Sequence, residues 1–133
     1  MKDLLEIIKG IDLKKITEEE LENLLPSLGM NGENVHEMPT HLSQHYNVGL
    51  KFWQYPNQFS KYLKLLSTFK VNSYLEIGCR WGGTFVITNE FLKLKNKNVK
   101  AFACDIIEMS DILTEYSKHS DFKYLFINST LLD

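Results

Sequence analysis

The sequence predicts an α/β fold built on a parallel sheet, and three observations carry that prediction. Residues 72–77, 99–104 and 122–127 are short segments of strand character, the last rich in residues that favour β structure. Two segments with helical character, 83–94 and 111–118, separate them. A glycine-rich turn, Gly78-Cys79-Arg80-Trp81-Gly82-Gly83, joins the first strand to the first of these helices. Strands that alternate with helices in this way pair in parallel through right-handed crossovers.

Upstream the pattern is helical. Leu4, Leu5, Ile7, Ile8, Ile11 and Leu13 recur near helical spacing, which predicts a helix over 4–16 with Gly10 as its weak point. Thr17-Glu18-Glu19-Glu20 has the capping-box pattern, and Leu21, Leu24, Leu25 and Leu28 continue a second short helix that Pro26 disturbs. Residues 29–49 have no sustained period and read as an ordered loop or lid. Pro56-Asn57 then opens a helix through Phe59, Tyr62, Leu63, Leu65 and Leu66 that ends near Phe69. The chain divides into an N-terminal helical cap and loop, residues 1–50, and an α/β portion, residues 51–133.

Composition bounds the function. A chain of 133 residues with 44% hydrophobic and 24% charged residues is ordinary for one soluble globular domain. Fifteen basic against seventeen acidic residues leave a net charge of −2, which gives no footprint for a nucleic-acid backbone or an anionic membrane. The first residues interleave charge with apolar side chains, which breaks a signal-peptide core, and no apolar run approaches the roughly twenty residues of a membrane span. A cytoplasmic protein is expected. Cys79 and Cys104, each following a strand, are expected to be reduced and structural.

The chemistry is concentrated in Tyr74-Leu75-Glu76-Ile77-Gly78-Cys79-Arg80-Trp81-Gly82-Gly83-Thr84. A glycine turn at a helix N-terminus brings backbone N–H groups and the helix dipole close to a carboxylate or phosphate. Such glycines also occur merely to turn the chain or to pack a helix. The spacing Glu-x-Gly-x-x-x-Gly-Gly departs from the dinucleotide fingerprint Gly-x-Gly-x-x-Gly, and an acidic residue before the first glycine is unexpected for pyrophosphate. The segment resembles motif I of class I S-adenosylmethionine (SAM)-dependent methyltransferases. There an acidic residue closes the first strand and the turn holds the methionine part of SAM.

That resemblance implies that Glu76, Gly78, Cys79, Arg80, Gly82 and Gly83 line the cofactor site, with S-adenosylhomocysteine as the product bound there. Asp105, followed by Ile106, stands at the end of the second strand, where a carboxylate can accept hydrogen bonds from both ribose hydroxyls. The third strand ends Phe126-Ile127-Asn128-Ser129, and Ser129 falls where methyltransferases present a polar group near adenine. Glu-Ile-Gly-x-x-x-Gly-Gly, preceded by an aromatic segment and a helix, is also similar to the branch that modifies sugars and other small natural products, including cephalosporin-hydroxylase-like proteins. The implied fold is a three-layer Rossmann-like parallel sheet of strand order 3-2-1, partial and preceded by N-terminal helices.

Class I methyltransferases have seven strands, and this chain supplies three, leaving strand one at an edge that natural proteins pair or protect. The expectation is the N-terminal, truncated portion of a larger enzyme, or a chain that completes its sheet with a partner. A homo-oligomer could form through the N-terminal helices or the open edge. Family residues for catalysis usually follow the third strand, so no catalytic residue is named. The substrate class expected is a small molecule or a glycan. The alternatives are a nicotinamide- or nucleotide-sugar-binding Rossmann protein and a non-catalytic interaction module.

Other groupings weigh less. His36, Glu37, His41 and His45 form a polar cluster, with no cysteine or fixed third ligand to make a metal site, and His45 is the better candidate for a lid residue facing substrate. Phe52, Trp53, Tyr55 and Phe59 could wall a ligand but are more often core. Arg80 could pair with the SAM carboxylate or with Glu76.

Overall fold

The computed structural model describes residues 1–33, 36 and 38–127, an α/β arrangement of helices packed on a small three-stranded parallel sheet. Helix α1 spans Lys2–Lys9 and stops at Gly10, earlier than the periodicity predicts. The cause is local. Gly10 is a poor helix former, and the Asp12 side chain accepts the Lys14 N–H while its carbonyl accepts those of Lys15 and Ile16, so the backbone turns instead.

Helix α2, Glu18–Leu24, starts on the predicted capping box. Thr17 Oγ1 accepts the Glu20 N–H at 3.1 Å and Glu20 Oε2 accepts the Thr17 N–H at 2.8 Å. Thr17→Ala is expected to cost about 1 kcal/mol, read as a lower urea midpoint with an unchanged slope. The helix passes into a 3-10 helix, Leu25–Leu28, whose first turn tolerates Pro26.

The segment after Leu28 is paired rather than loose. The Leu50 N–H bonds the Leu28 carbonyl at 2.8 Å, the Phe52 N–H bonds that of Gly29 at 3.0 Å, and Met30 bridges both Tyr46 and Phe52. Gly29 sits at φ +96°, and a Cβ there would lie 1.9 Å from the Val48 carbonyl oxygen, so only glycine permits the crossing. A 3-10 helix, Thr40–His45, lies within this strap. Helix α3, Pro56–Leu66, ends short of Phe69 because the Ser67 and Thr68 hydroxyls turn back onto the Lys64 and Leu65 carbonyls.

Strands β1, Ser73–Ile77, β2, Lys100–Asp105, and β3, Lys123–Phe126, pair in parallel in the order β1-β2-β3. Helix α4, Gly83–Lys93, connects the first two and helix α5, Asp111–Ser117, the last two. Both crossovers step the same way across the sheet, so a shared handedness puts both helices on one face. That face carries Tyr74, Ala101 and Ala103. Phe85 of α4 stacks on Tyr74 with centroids 5.6 Å apart, and Tyr116 of α5 meets Phe85 edge-on. The Tyr116 hydroxyl joins a buried network, accepting from Asn89 at 2.8 Å and donating to Glu90 at 2.5 Å.

The second helical layer expected from the sequence is absent among the described residues. Leu75, Ile77 and Leu125 on the opposite face are 54%, 76% and 51% exposed, although parallel sheets are ordinarily covered on both sides. The core is continuous along the chain: Leu5, Ile8, Leu21 and Leu28 belong to the same buried cluster as Phe85, Phe91 and Tyr116, so the N-terminal helices pack on the α/β portion. Among the described residues no helix is long and apolar enough to cross a membrane.

Candidate functional site

The turn after β1 forms because each of its glycines meets a different demand. Gly78 takes φ +75° with open space where a Cβ would stand. Gly82, at φ +85°, would drive a Cβ to 2.3 Å from Leu113 of α5. At Gly83 a Cβ would lie 2.0 Å from the Leu50 carbonyl oxygen and 2.6 Å from the Phe52 nitrogen. Gly82 and Gly83 are therefore glycines of packing. Gly78 alone leaves backbone open to a ligand.

The Asp105 carboxylate holds this turn from the end of β2. Its Oδ2 accepts the Arg80 N–H at 2.6 Å and its Oδ1 accepts the Ile106 N–H at 2.7 Å. The first of these bonds fixes Arg80 in the left-handed region, φ +45°. Each carboxylate oxygen keeps a further lone pair for an incoming donor.

Arg80 itself points away from Glu76. Its Nη2 bonds Glu33 Oε1 at 2.8 Å, and its guanidinium lies 5.9 Å from the Trp53 ring and 5.3 Å from the Trp81 ring. Of the two partners open to Arg80 in the sequence, the SAM carboxylate or Glu76, Glu76 is not paired with it, because the strap brings the Glu33 carboxylate and two aromatic faces to the guanidinium. The Arg80 hydrogen bond holds the Glu33 carboxyl below its ordinary range.

Glu76 is paired instead within its own strand: the Tyr74 hydroxyl donates to Glu76 Oε2. Burial raises the Glu76 pKa to about 7, partly offset by that bond, and burial followed by the Glu76 charge raises Tyr74 above its ordinary range. The folded pKa exceeds the unfolded one, so the folded state binds the extra proton and stability is lost as pH rises from about 4.5 through about 7. Glu76→Gln is expected to raise Tm at pH 8 and to lose that gain by pH 4, measured by thermal denaturation across the range.

These residues border a cleft of about 580 Å³ whose lining includes Asn31, Lys51 and Trp53 of the strap together with Glu76, Gly78 and Thr84. Of the residues singled out in the sequence, Glu76, Gly78, Cys79, Arg80, Gly82 and Gly83 all line it. Asp105 and Ile106 adjoin the turn from the β2 side rather than lining the cleft, and the Ile106 side chain is exposed. Cys79 is buried, and burial with the Asp105 charge pushes its thiol up to about 12, which leaves it a structural thiol. Ser129 lies outside the described residues.

The remaining candidates divide. Phe52 is core, Phe59 is core and also borders the cleft, Trp53 lines the cleft and Tyr55 a separate hollow. His41 and His45 border that second hollow, between α2 and the 3-10 helix, so His45 does not face the cleft as expected of a lid residue. Glu37 lies outside the described residues, among which no group of three metal-ligating side chains converges. Sequence reasoning missed Asn31 and Lys51, which line the cleft, and Glu33, which bonds Arg80; all three are brought there by the crossing at Gly29. The signal available was the glycine bracketing of apolar Met30, Leu50 and Phe52. No protein-family model, curated protein or solved structure matches the chain.

Proposed function

We propose that the chain carries the nucleoside-and-methionine half of a SAM site, in a partial Rossmann-like domain of a methyltransferase acting on a small molecule or glycan. The observation that carries this reading is the placement of Asp105. Its carboxylate stands at the end of the middle strand, pinned by two backbone N–H groups and beside the unobstructed, left-handed Gly78. A ribose lying across Gly78 would offer its two hydroxyls to the lone pairs that Asp105 retains, with the amino-acid end of the ligand in the cleft. SAM supplies an electrophilic methyl group on a sulfonium; the chain's contribution is to bind and orient it.

Glu76 sets this reading against a nicotinamide dinucleotide. A carboxylate in the cleft repels pyrophosphate, whereas it suits a ligand bearing positive charge. Calorimetric titration tests the choice: S-adenosylhomocysteine is expected to bind and NAD to give no heat, and NAD binding alone would reject the proposal.

One observation favours an added role in association. Leu75 and Ile77 of β1 and Leu125 of β3 lie exposed on one apolar sheet face, and among the described residues no strand pairs the outer edge of β1, where a further strand or subunit would pair. We read the protein as cytoplasmic, in keeping with the free, buried Cys79 and Cys104.

A further inference from the structure

We infer that Arg80, Glu33, Trp53 and Trp81 form a side-chain clasp at the opening of the cleft, held by charge and released by ionic strength. The clasp goes beyond the SAM reading and does not depend on it. Arg80 lines the cleft while its side chain is 47% exposed, so it lies where the cleft meets solvent. It starts on the glycine turn and ends on the strap. Its Nη2 bonds Glu33 Oε1 at 2.8 Å, and its guanidinium stands 5.9 Å from the Trp53 ring and 5.3 Å from the Trp81 ring. Both tryptophans line the cleft as well.

The backbone at both ends of this contact is pinned. Asp105 Oδ2 accepts the Arg80 N–H at 2.6 Å and holds its left-handed φ of +45°. On the strap, the Asn31 N–H bonds the Phe52 carbonyl at 2.8 Å and the Glu33 N–H bonds Asn31 Oδ1 at 2.7 Å. The parts free to move are therefore side chains, and exposed side chains change rotamer far faster than a backbone segment rearranges. The clasp opens and closes without disturbing the fold.

Its strength suits reversible opening. A single Nη2–Oε1 bond joins the pair, where a guanidinium can offer a carboxylate two, and the Glu33 side chain is itself 37% exposed. An ion pair so placed favours the closed arrangement by no more than about fivefold, and salt screens it. The other charged groups at this point do not replace Glu33: Asp105 binds the Arg80 backbone, and the Lys51 Nζ lies 5.6 Å from the Trp81 ring centroid as a second cation on that indole. When Glu33 lets go, Arg80 has no other carboxylate bonded to its guanidinium to hold it between the rings.

Trp53 and Trp81 are the only tryptophans of the chain, so intrinsic fluorescence reports the clasp with no ligand and no label. Quenching by acrylamide, an uncharged probe, is expected to rise about twofold in the wild-type protein between about 0.01 M and about 1 M sodium chloride. Glu33→Gln is expected to show the high-salt value already at low salt and to lose the salt dependence. Added to Arg80→Gln, Glu33→Gln is expected to change nothing further, because the two act through one contact. Hydrogen exchange at the Gly83 and Thr84 amides, which begin α4 and border the cleft, is expected to quicken by a few-fold in step with the quenching. Quenching that responds to neither salt nor Glu33→Gln overturns the clasp, as do two substitutions whose effects simply add. Quenching that rises while exchange at Gly83 and Thr84 stays constant would mean that the indoles move without opening the cleft, and would overturn it too.

Discussion

Asp105→Ala is expected to weaken S-adenosylhomocysteine binding roughly a hundredfold, since two hydrogen bonds from ribose hydroxyls to a charged acceptor disappear together. The same change removes the acceptor for the Arg80 and Ile106 N–H groups. Stability should therefore fall by about 1–2 kcal/mol as the turn loses its anchor. Titration calorimetry measures the first effect and urea denaturation the second. Unchanged ligand affinity in a folded Asp105→Ala protein would remove Asp105 from the site and leave it a turn-capping residue.

Gly83→Ala is expected to have the largest effect on stability, a loss of about 3 kcal/mol or more. Alanine is the better helix former by about 1 kcal/mol, which pushes the other way. Sterics win here, because the added Cβ would stand 2.0 Å from the Leu50 carbonyl oxygen and 2.6 Å from the Phe52 nitrogen, and backbone cannot rotate aside as a side chain can. Gly78→Ala meets no such contact and carries only the left-handed backbone cost of about 1–2 kcal/mol. Thermal melts of the two variants should rank Gly83→Ala below Gly78→Ala. The reverse order would mean that the strap does not pack on α4 as described.

The alternation of strands and helices was legible because each is locally encoded: the Thr17 capping box, the apolar face of α3 and the strand segments around the glycine turn all carry their own signals. Boundaries slipped where short polar side chains bond back to the chain, at Asp12 after α1 and at Ser67 and Thr68 after α3. The candidate site was half legible. Glu76, Gly78 and Asp105 stand at strand ends, where a pattern can announce them. Asn31, Glu33 and Lys51 enter through isolated bridges at Met30 and the close approach at Gly29, which follow no periodicity. Glu33 as a partner of Arg80 was illegible for the same reason, since it is distant in sequence and adjacent only after the strap folds back.

The packing roles of Gly82 and Gly83 change the weight of the glycine motif. Two of its glycines are accounted for by Leu113, Leu50 and Phe52, so the cofactor reading rests on Gly78, Glu76 and Asp105 rather than on glycine content. A crystal structure of the protein with S-adenosylhomocysteine tests that reading most directly. The ribose hydroxyls are expected within hydrogen-bonding distance of the Asp105 carboxylate, with the amino-acid end in the cleft beside Glu76. Ligand seated in the hollow near His41 and His45, or an Asp105 carboxylate untouched by ribose, would contradict it.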